Sequence, residues 1–209
     1  VVDEPFYAHY LQLTGVDHPG RDETLKSMEK DADKVTATTV LGACPKNELF
    51  LKNMGHHLLG VDLSFLDQVT NLFLIRSPNR IIASYTKVIE NPTMTDIGLA
   101  DQARILRDIV ARGLRPLVID TGEILKHPEA MMKKLCEALE IPFEPAMLSW
   151  EPGARVEDGV WAKYWYDSVH RSDGLKQKVE KDVELNPRYN DLYREAMEYY
   201  SELKTFEIK

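Results

Sequence analysis

Cysteine is scarce: the 209 residues include two, Cys44 and Cys136. They lie far apart without a CxxC spacing, which argues against a disulfide framework or a cysteine-based zinc site. Both read as reduced thiols of a cytoplasmic protein. Surplus positive charge is also lacking. Lys and Arg number 26 against 34 Asp and Glu, a formal net charge of −8. A general nucleic-acid binder presents a basic face, so no nucleic-acid partner is expected, and any anion site must be a local concentration of Arg and Lys. No apolar run is long enough to span a membrane, and no charged-then-apolar leader opens the sequence, so no membrane partner is expected. There is no internal repeat. A GxxxxGK[ST] loop and a clear magnesium carboxylate are missing too, which weakens an ATP-dependent kinase reading.

What remains is ordinary for a globular protein, with 44% hydrophobic and 29% charged residues. That length buries a real core and reads as one domain over residues 1–209, closed by a helix within 186–209. The stretch that organises it is Val69–Val88, VTNLFLIRSPNRIIASYTKV. Val69–Ile75 reads as a strand buried on both faces. Arg76 follows. Ser77 is a candidate cap, Pro78 suits a first turn, and Ile81, Ile82, Tyr85 and Val88 form an apolar stripe. Strand, cation and helix N-terminus together make an anion site, because the first N–H groups of a helix are unpaired.

The rest alternates in the same way. Val1-Val2 reads as the tail of a strand, which leads us to expect missing sequence upstream. A helix is predicted through Leu13, a loop over Thr14–Gly20, and a helix over Asp22–Leu41 with Leu25, Met28, Ala32 and Val35 at helical spacing. Glu48–Lys52 is a short strand, and Asn53–His57 a turn. Asn91–Thr95 is a loop. Asp96–Arg112 is a helix carrying Leu99, Ala103, Leu106 and Val110, weakened but not broken by Gly98 and stopped by Gly113. Pro116–Asp120 is a buried strand and Pro128–Glu140 a helix. Glu144–Gly159 is irregular, Trp161–Tyr166 an aromatic cluster, and Asn186-Pro187 opens the last helix. The economical architecture is α/β: a three-layer sandwich with a parallel sheet covered by helices on both faces, its first strand missing.

FLIRSPNRIIASY resembles the segment of PAPS-dependent sulfotransferases that grips the nucleotide 3′-phosphate with an Arg at a strand end and a Ser eight residues later. The resemblance implies these roles for Arg76 and Ser84, with a P-loop-like fold and PAPS or adenosine 3′,5′-bisphosphate as cofactor. DTGEILKHPEAMMKKLCEALEIPF resembles the family's next strand, turn and helix. There the turn's Asp falls on Glu123, and the Tyr that abuts adenine falls on Thr121. FLKNMGHH places Lys52 at the position of a Lys that would support the transferred group, with His56 and His57 displaced from the family's histidine. DEPFY places Glu4 where some sulfotransferases carry an acidic base. Arg171, before Gly174, Lys176 and Lys178, loosely matches a late 3′-phosphate segment. The likeness is strongest to a branch sharing DEPFYAHYL, HPGRDE and DGVWAxxWY, which in plants is fused to an aminotransferase-like domain. It covers nearly the whole chain.

One departure stands out. The family's Gly/Ser/Thr-rich phosphosulfate loop has no counterpart in these residues. The resemblance therefore implies either a sulfotransferase-type protein acting on a small hydroxyl or amine acceptor, with these 209 residues catalytically poor, or a noncatalytic nucleotide-binding module that keeps the 3′-phosphate half-site. Glu4, His56 and His57 compete as the base that takes the acceptor's proton. The adjoining histidines make a poor metal pair, and no metal is expected. Each residue also has a structural explanation: Arg76 a surface ion pair, Ser84 a bond to its own turn, Lys52 a solvated cation and Glu4 a helix-capping anion, while Trp161, Tyr164, Trp165 and Tyr166 either cover the core or line an acceptor or adenine pocket.

Overall fold

The computed structural model describes residues 1–87, 89–178 and 183–208. In chain order the elements are β1 (Val2–Asp3), α1 (Tyr7–Thr14), α2 (Arg21–Ser27), α3 (Ala32–Val35), β2 (Leu51–Lys52), β3 (Leu72–Ile75), α4 (Pro78–Tyr85), α5 (Met94–Ile97) and α6 (Leu99–Ala111). Then follow β4 (Leu117–Asp120), α7 (Thr121–Lys126), α8 (Pro128–Ala138), α9 (Ala162–Trp165), α10 (Asp167–His170) and α11 (Asn190–Lys204). The α/β class and the parallel pairing are as expected: β1 pairs with β2 and β3 with β4, both parallel. Among the described residues these are two ladders of two strands each. They belong to two compact units, one formed by Val1–Gln68 with Glu151–Asp173, the other by Val69–Trp150 with Gly174–Lys209.

In the first unit, Tyr7, Tyr10, Leu11 and Trp161 are buried together, with Val16, Leu25, Met28, Trp165 and Tyr166 packed around them. The chain turns out of β1 at Glu4, whose φ of 48° is uncommon for a residue with a side chain. Its carbonyl accepts the Tyr7 N–H at 2.9 Å, which starts α1. The single helix expected over Asp22–Leu41 is broken. Met28 is extended, Glu29 accepts the N–H groups of Lys30 and Asp31, and Asp31 caps α3 by accepting from Lys34 N–H. Acidic side chains thus satisfy backbone donors that an unbroken helix would have used. Beyond α3 the segment Thr36–Val40, β-branched except at Ala37, forms a wider π-type turn. The strand expected over Glu48–Lys52 is confined to Leu51–Lys52.

In the second unit, Ile119, Ile124, Met131 and Leu135 form a core patch against Leu72, Leu139 and Ile208. The strand expected over Val69–Ile75 begins at Leu72, and it is not buried on both faces: Phe73 and Ile75 are enclosed while Leu74 is 53% exposed. β4 is buried throughout. Pro78 opens α4 as expected, but Ser77 caps it through its carbonyl rather than its side chain. Val88 of the predicted stripe lies outside the described residues. Gly98 does more than weaken its helix. With φ at 70° it ends α5, which begins within the predicted Asn91–Thr95 loop on a Thr93–Asp96 capping box, and it opens α6. Leu99, Ala103 and Leu106 are buried as their spacing predicts, whereas Ile109 takes the place of Val110, which is exposed. Asn186 accepts from Arg188 N–H to start the turn into α11, which packs on α6 and α4.

Candidate functional site

The candidate residues fall into two groups, one in each unit. In the second unit the parallel register ends with Ile75 opposite Asp120. The residues that follow, Arg76 and Thr121, therefore leave neighbouring strands at the same level. Arg76 leads into the N-terminus of α4, and Thr121 is the first residue of α7. Thr121 Oγ1 is shielded from solvent and makes no hydrogen bond. A buried hydroxyl without a partner costs about 1–3 kcal/mol, so an acceptor oxygen supplied there would be stabilising. Ser84 is exposed in the last turn of α4. At ~1.5 Å per residue it stands roughly 9 Å along the axis from Pro78, a span that Arg76 could bridge only by laying its long side chain along the helix. Glu123, the position of the family's turn Asp, pairs with Lys126 at 2.7 Å.

Asp120 is not free to take a ligand. Its Oδ1 accepts from Gly122 N–H at 2.6 Å, and its Oδ2 accepts from the Tyr200 hydroxyl and from Lys204 Nζ at 3.0 Å. Burial disfavours its ionised form, but these hydrogen bonds prevail and hold it below the ordinary carboxylate value. Burial, with Asp120 as acceptor, pushes the Tyr200 phenol up to about 12. The group ties α11 to the end of β4.

In the first unit the ends of β1 and β2 bring Asp3, Glu4 and Lys52 together through the register Asp3↔Lys52. Lys52 Nζ donates to Glu4 Oε1 and to Tyr166 Oη, the latter at 2.6 Å, and lies 3.4 Å from Asp3 Oδ1. The Tyr166 hydroxyl is 2.9 Å from both Asp3 carboxylate oxygens and 3.3 Å from Glu4 Oε1. Glu4 is buried, and desolvation raises its proton affinity above the ordinary carboxylate range even though Lys52 opposes the shift.

His57 is 2% exposed; its Nδ1 makes no hydrogen bond and lies 3.8 Å from Glu4 Oε2. Burial first, then the nearby His56, Lys52 and His18, hold it neutral well below the usual histidine value. Its ring stacks on Tyr7 at 4.5 Å, and the His56 ring stands edge-on to it at 4.6 Å. The short turn Gly55–Leu58 buries both histidines. Arg171 is exposed and pairs with Asp167.

Lys52, Glu4 and His57 are thus brought together, with His56 beside them, and Arg76 and Thr121 are brought to one sheet end. Two members of the first group had no place in it from the sequence: Asp3, legible only as one of two strand-end carboxylates, and Tyr166, legible only within the aromatic cluster. The acidic doublet in DEPFY was the available signal for Asp3. Tyr166 closes the DGVWAxxWY segment, but its pairing with Lys52, 114 positions away, left no spacing to read.

The family model described as a sulfotransferase domain matches residues 1–206, and the chain belongs to that family. Two relatives from Arabidopsis thaliana, branched-chain-amino-acid aminotransferase-like proteins 2 and 1, are each 36% identical, over 205 and 206 residues. The alignments cover 98% of this chain but 36% and 37% of the relatives, so the chain spans little more than a third of their length. They agree with the plant fusion branch that DEPFYAHYL pointed to. No solved structure gives a significant match. Among the described residues no helix is long and apolar enough to cross a membrane, and no group of three or more His, Cys, Asp and Glu is placed to hold a metal ion.

Proposed function

We propose that the chain is a cytoplasmic sulfuryl-transfer module, built as a three-layer α/β sandwich, that takes its donor group from PAPS and passes it to a hydroxyl or amine of a small molecule. The observation that carries this reading is the Arg76–Thr121 edge: a cation beside a helix N-terminus and a buried hydroxyl without a partner. Arg76 supplies a planar fork of donors for the 3′-phosphate, Ser84 adds a hydroxyl, and Thr121 faces the nucleoside side. Arg171 takes an outer place at most, since its charge is already paired in solvent. Bound PAPS supplies an activated sulfuryl group.

Glu4 is the base in this reading, because burial raises its proton affinity while burial and the neighbouring His56, Lys52 and His18 lower that of His57. Lys52 and Glu4 are chemically coupled. A proton taken up by Glu4 removes the strongest partner of the Lys52 ammonium, which then can stabilise a developing anion. The engagement of Lys52 by Glu4, Asp3 and Tyr166 also favours a second reading, a module that binds the nucleotide without turning it over. The 209 residues contain no Gly/Ser/Thr-rich phosphosulfate turn, so residues 1–209 alone should bind better than they turn over.

Calorimetry with adenosine 3′,5′-bisphosphate tests the proposal. Binding by the chain, weakened about 10- to 100-fold in Arg76→Ala, is expected if charge-assisted bonds of about 1.5–3 kcal/mol are lost. Absence of binding by both proteins would overturn both readings. Turnover of labelled PAPS by the chain separates the first reading from the second.

A further inference from the structure

We infer that Tyr166 is a positioning residue, which holds the Lys52 ammonium against Glu4 and keeps Asp3 from drawing it away. The inference rests on the reading of Glu4 and Lys52 as the reacting pair, and it adds a residue to which neither the family match nor the sequence motifs assign a role.

The geometry is one of donors and acceptors. Lys52 has three N–H donors and three oxygens around them: Glu4 Oε1, Tyr166 Oη at 2.6 Å and Asp3 Oδ1 at 3.4 Å. A phenol has a single proton. With its oxygen accepting from Lys52, Tyr166 donates to Asp3, whose oxygens are both at 2.9 Å, in preference to Glu4 at 3.3 Å. Asp3 and Glu4 are adjacent, their side chains each 8% exposed, and share one lysine. Two buried carboxylates compete for a cation. Tyr166 removes the competition by giving Asp3 a hydrogen bond of its own. The ring serves as well, since Lys52 Nζ lies 4.9 Å from its centroid. Burial and the Glu4 charge push the phenol far above its ordinary value, so it persists as a donor.

The substitution Tyr166→Phe deletes the hydroxyl and leaves the ring. Titration of the Glu4 carboxyl carbon by NMR, without nucleotide or acceptor, is the test. The expected result is an upward shift of the Glu4 midpoint, because Asp3, deprived of its donor, pulls Lys52 away. An unchanged or lowered midpoint in a folded variant overturns the inference. A second measurement needs no variant. In the unaltered chain the Lys52 ammonium should give a resolved, slowly exchanging signal with contacts to the Tyr166 ring; a rapidly averaged signal without them overturns it equally. Failure of nucleotide binding would sink the proposed function and leave both results unaffected.

Discussion

Lys52 Nζ and Tyr166 Oη meet at 2.6 Å across 114 positions of sequence, and through that contact the end of β2 is joined to the end of α9. The ammonium is the one cation in contact with the adjacent carboxylates of Asp3 and Glu4 among the described residues. Lys52→Met should therefore destabilise the chain by about 1–3 kcal/mol. That is less than the ~3–5 kcal/mol for breaking a fully buried pair, because the Lys52 side chain is 39% exposed. Urea unfolding checks this, and a variant as stable as the parent would show that the carboxylates do not need the cation.

The pH dependence of stability has two opposed parts. His57 titrates near 6.5 when unfolded and well below that when folded. The unfolded chain then binds more protons, so stability is present above about pH 6.5 and is lost as pH falls below it. Glu4 has the other sign. Its folded value lies above 4.5, so the folded chain binds more protons, and stability is lost as pH rises from 4.5 through the folded value. His57→Gln should flatten the acid-side loss, and Glu4→Gln should steepen it. Unfolding free energies measured from pH 7 to 5 distinguish the slopes; identical slopes in all three proteins would contradict both assignments.

Tyr200→Phe removes the hydroxyl that donates to Asp120 and leaves Lys204 in place. A loss of about 1.5–3 kcal/mol is expected, as for a hydrogen bond to a charged acceptor. The carboxyl of Asp120, no longer held down by that bond, should titrate closer to the ordinary value near 3.8. Carboxyl NMR in acid reads this directly, and an unmoved midpoint would mean that Lys204 and the Gly122 N–H suffice.

Short apolar runs carried most of the fold into view. LFLI and LVID became β3 and β4, paired in parallel, and Arg76 stands where the strand–helix junction placed it. Asp22–Leu41 misled because helical spacing of Leu25, Met28, Ala32 and Val35 says nothing of the acidic side chains that intercept the backbone at Met28–Asp31. Gly98 was legible as a glycine but not as a break, since its positive φ becomes worthwhile only with the Thr93–Asp96 capping box before it. Of the site, Glu4 and Lys52 were visible as strand-end charges. Tyr166 was visible only as part of DGVWAxxWY, and its pairing with Lys52 was not, because a contact across 114 positions leaves no periodicity behind.

The 3′-phosphate is the heart of the proposed function, and nucleotide selectivity isolates it. Adenosine 3′,5′-bisphosphate and adenosine 5′-monophosphate differ by that one group, so calorimetry of both against the chain and Arg76→Ala forms a closed cycle. The predicted result is at least about 10-fold tighter binding of the bisphosphate by the chain, equivalent to about 1.4 kcal/mol, with most of that preference gone in Arg76→Ala. Equal affinity of the chain for the two nucleotides, or a preference untouched by the substitution, would contradict it.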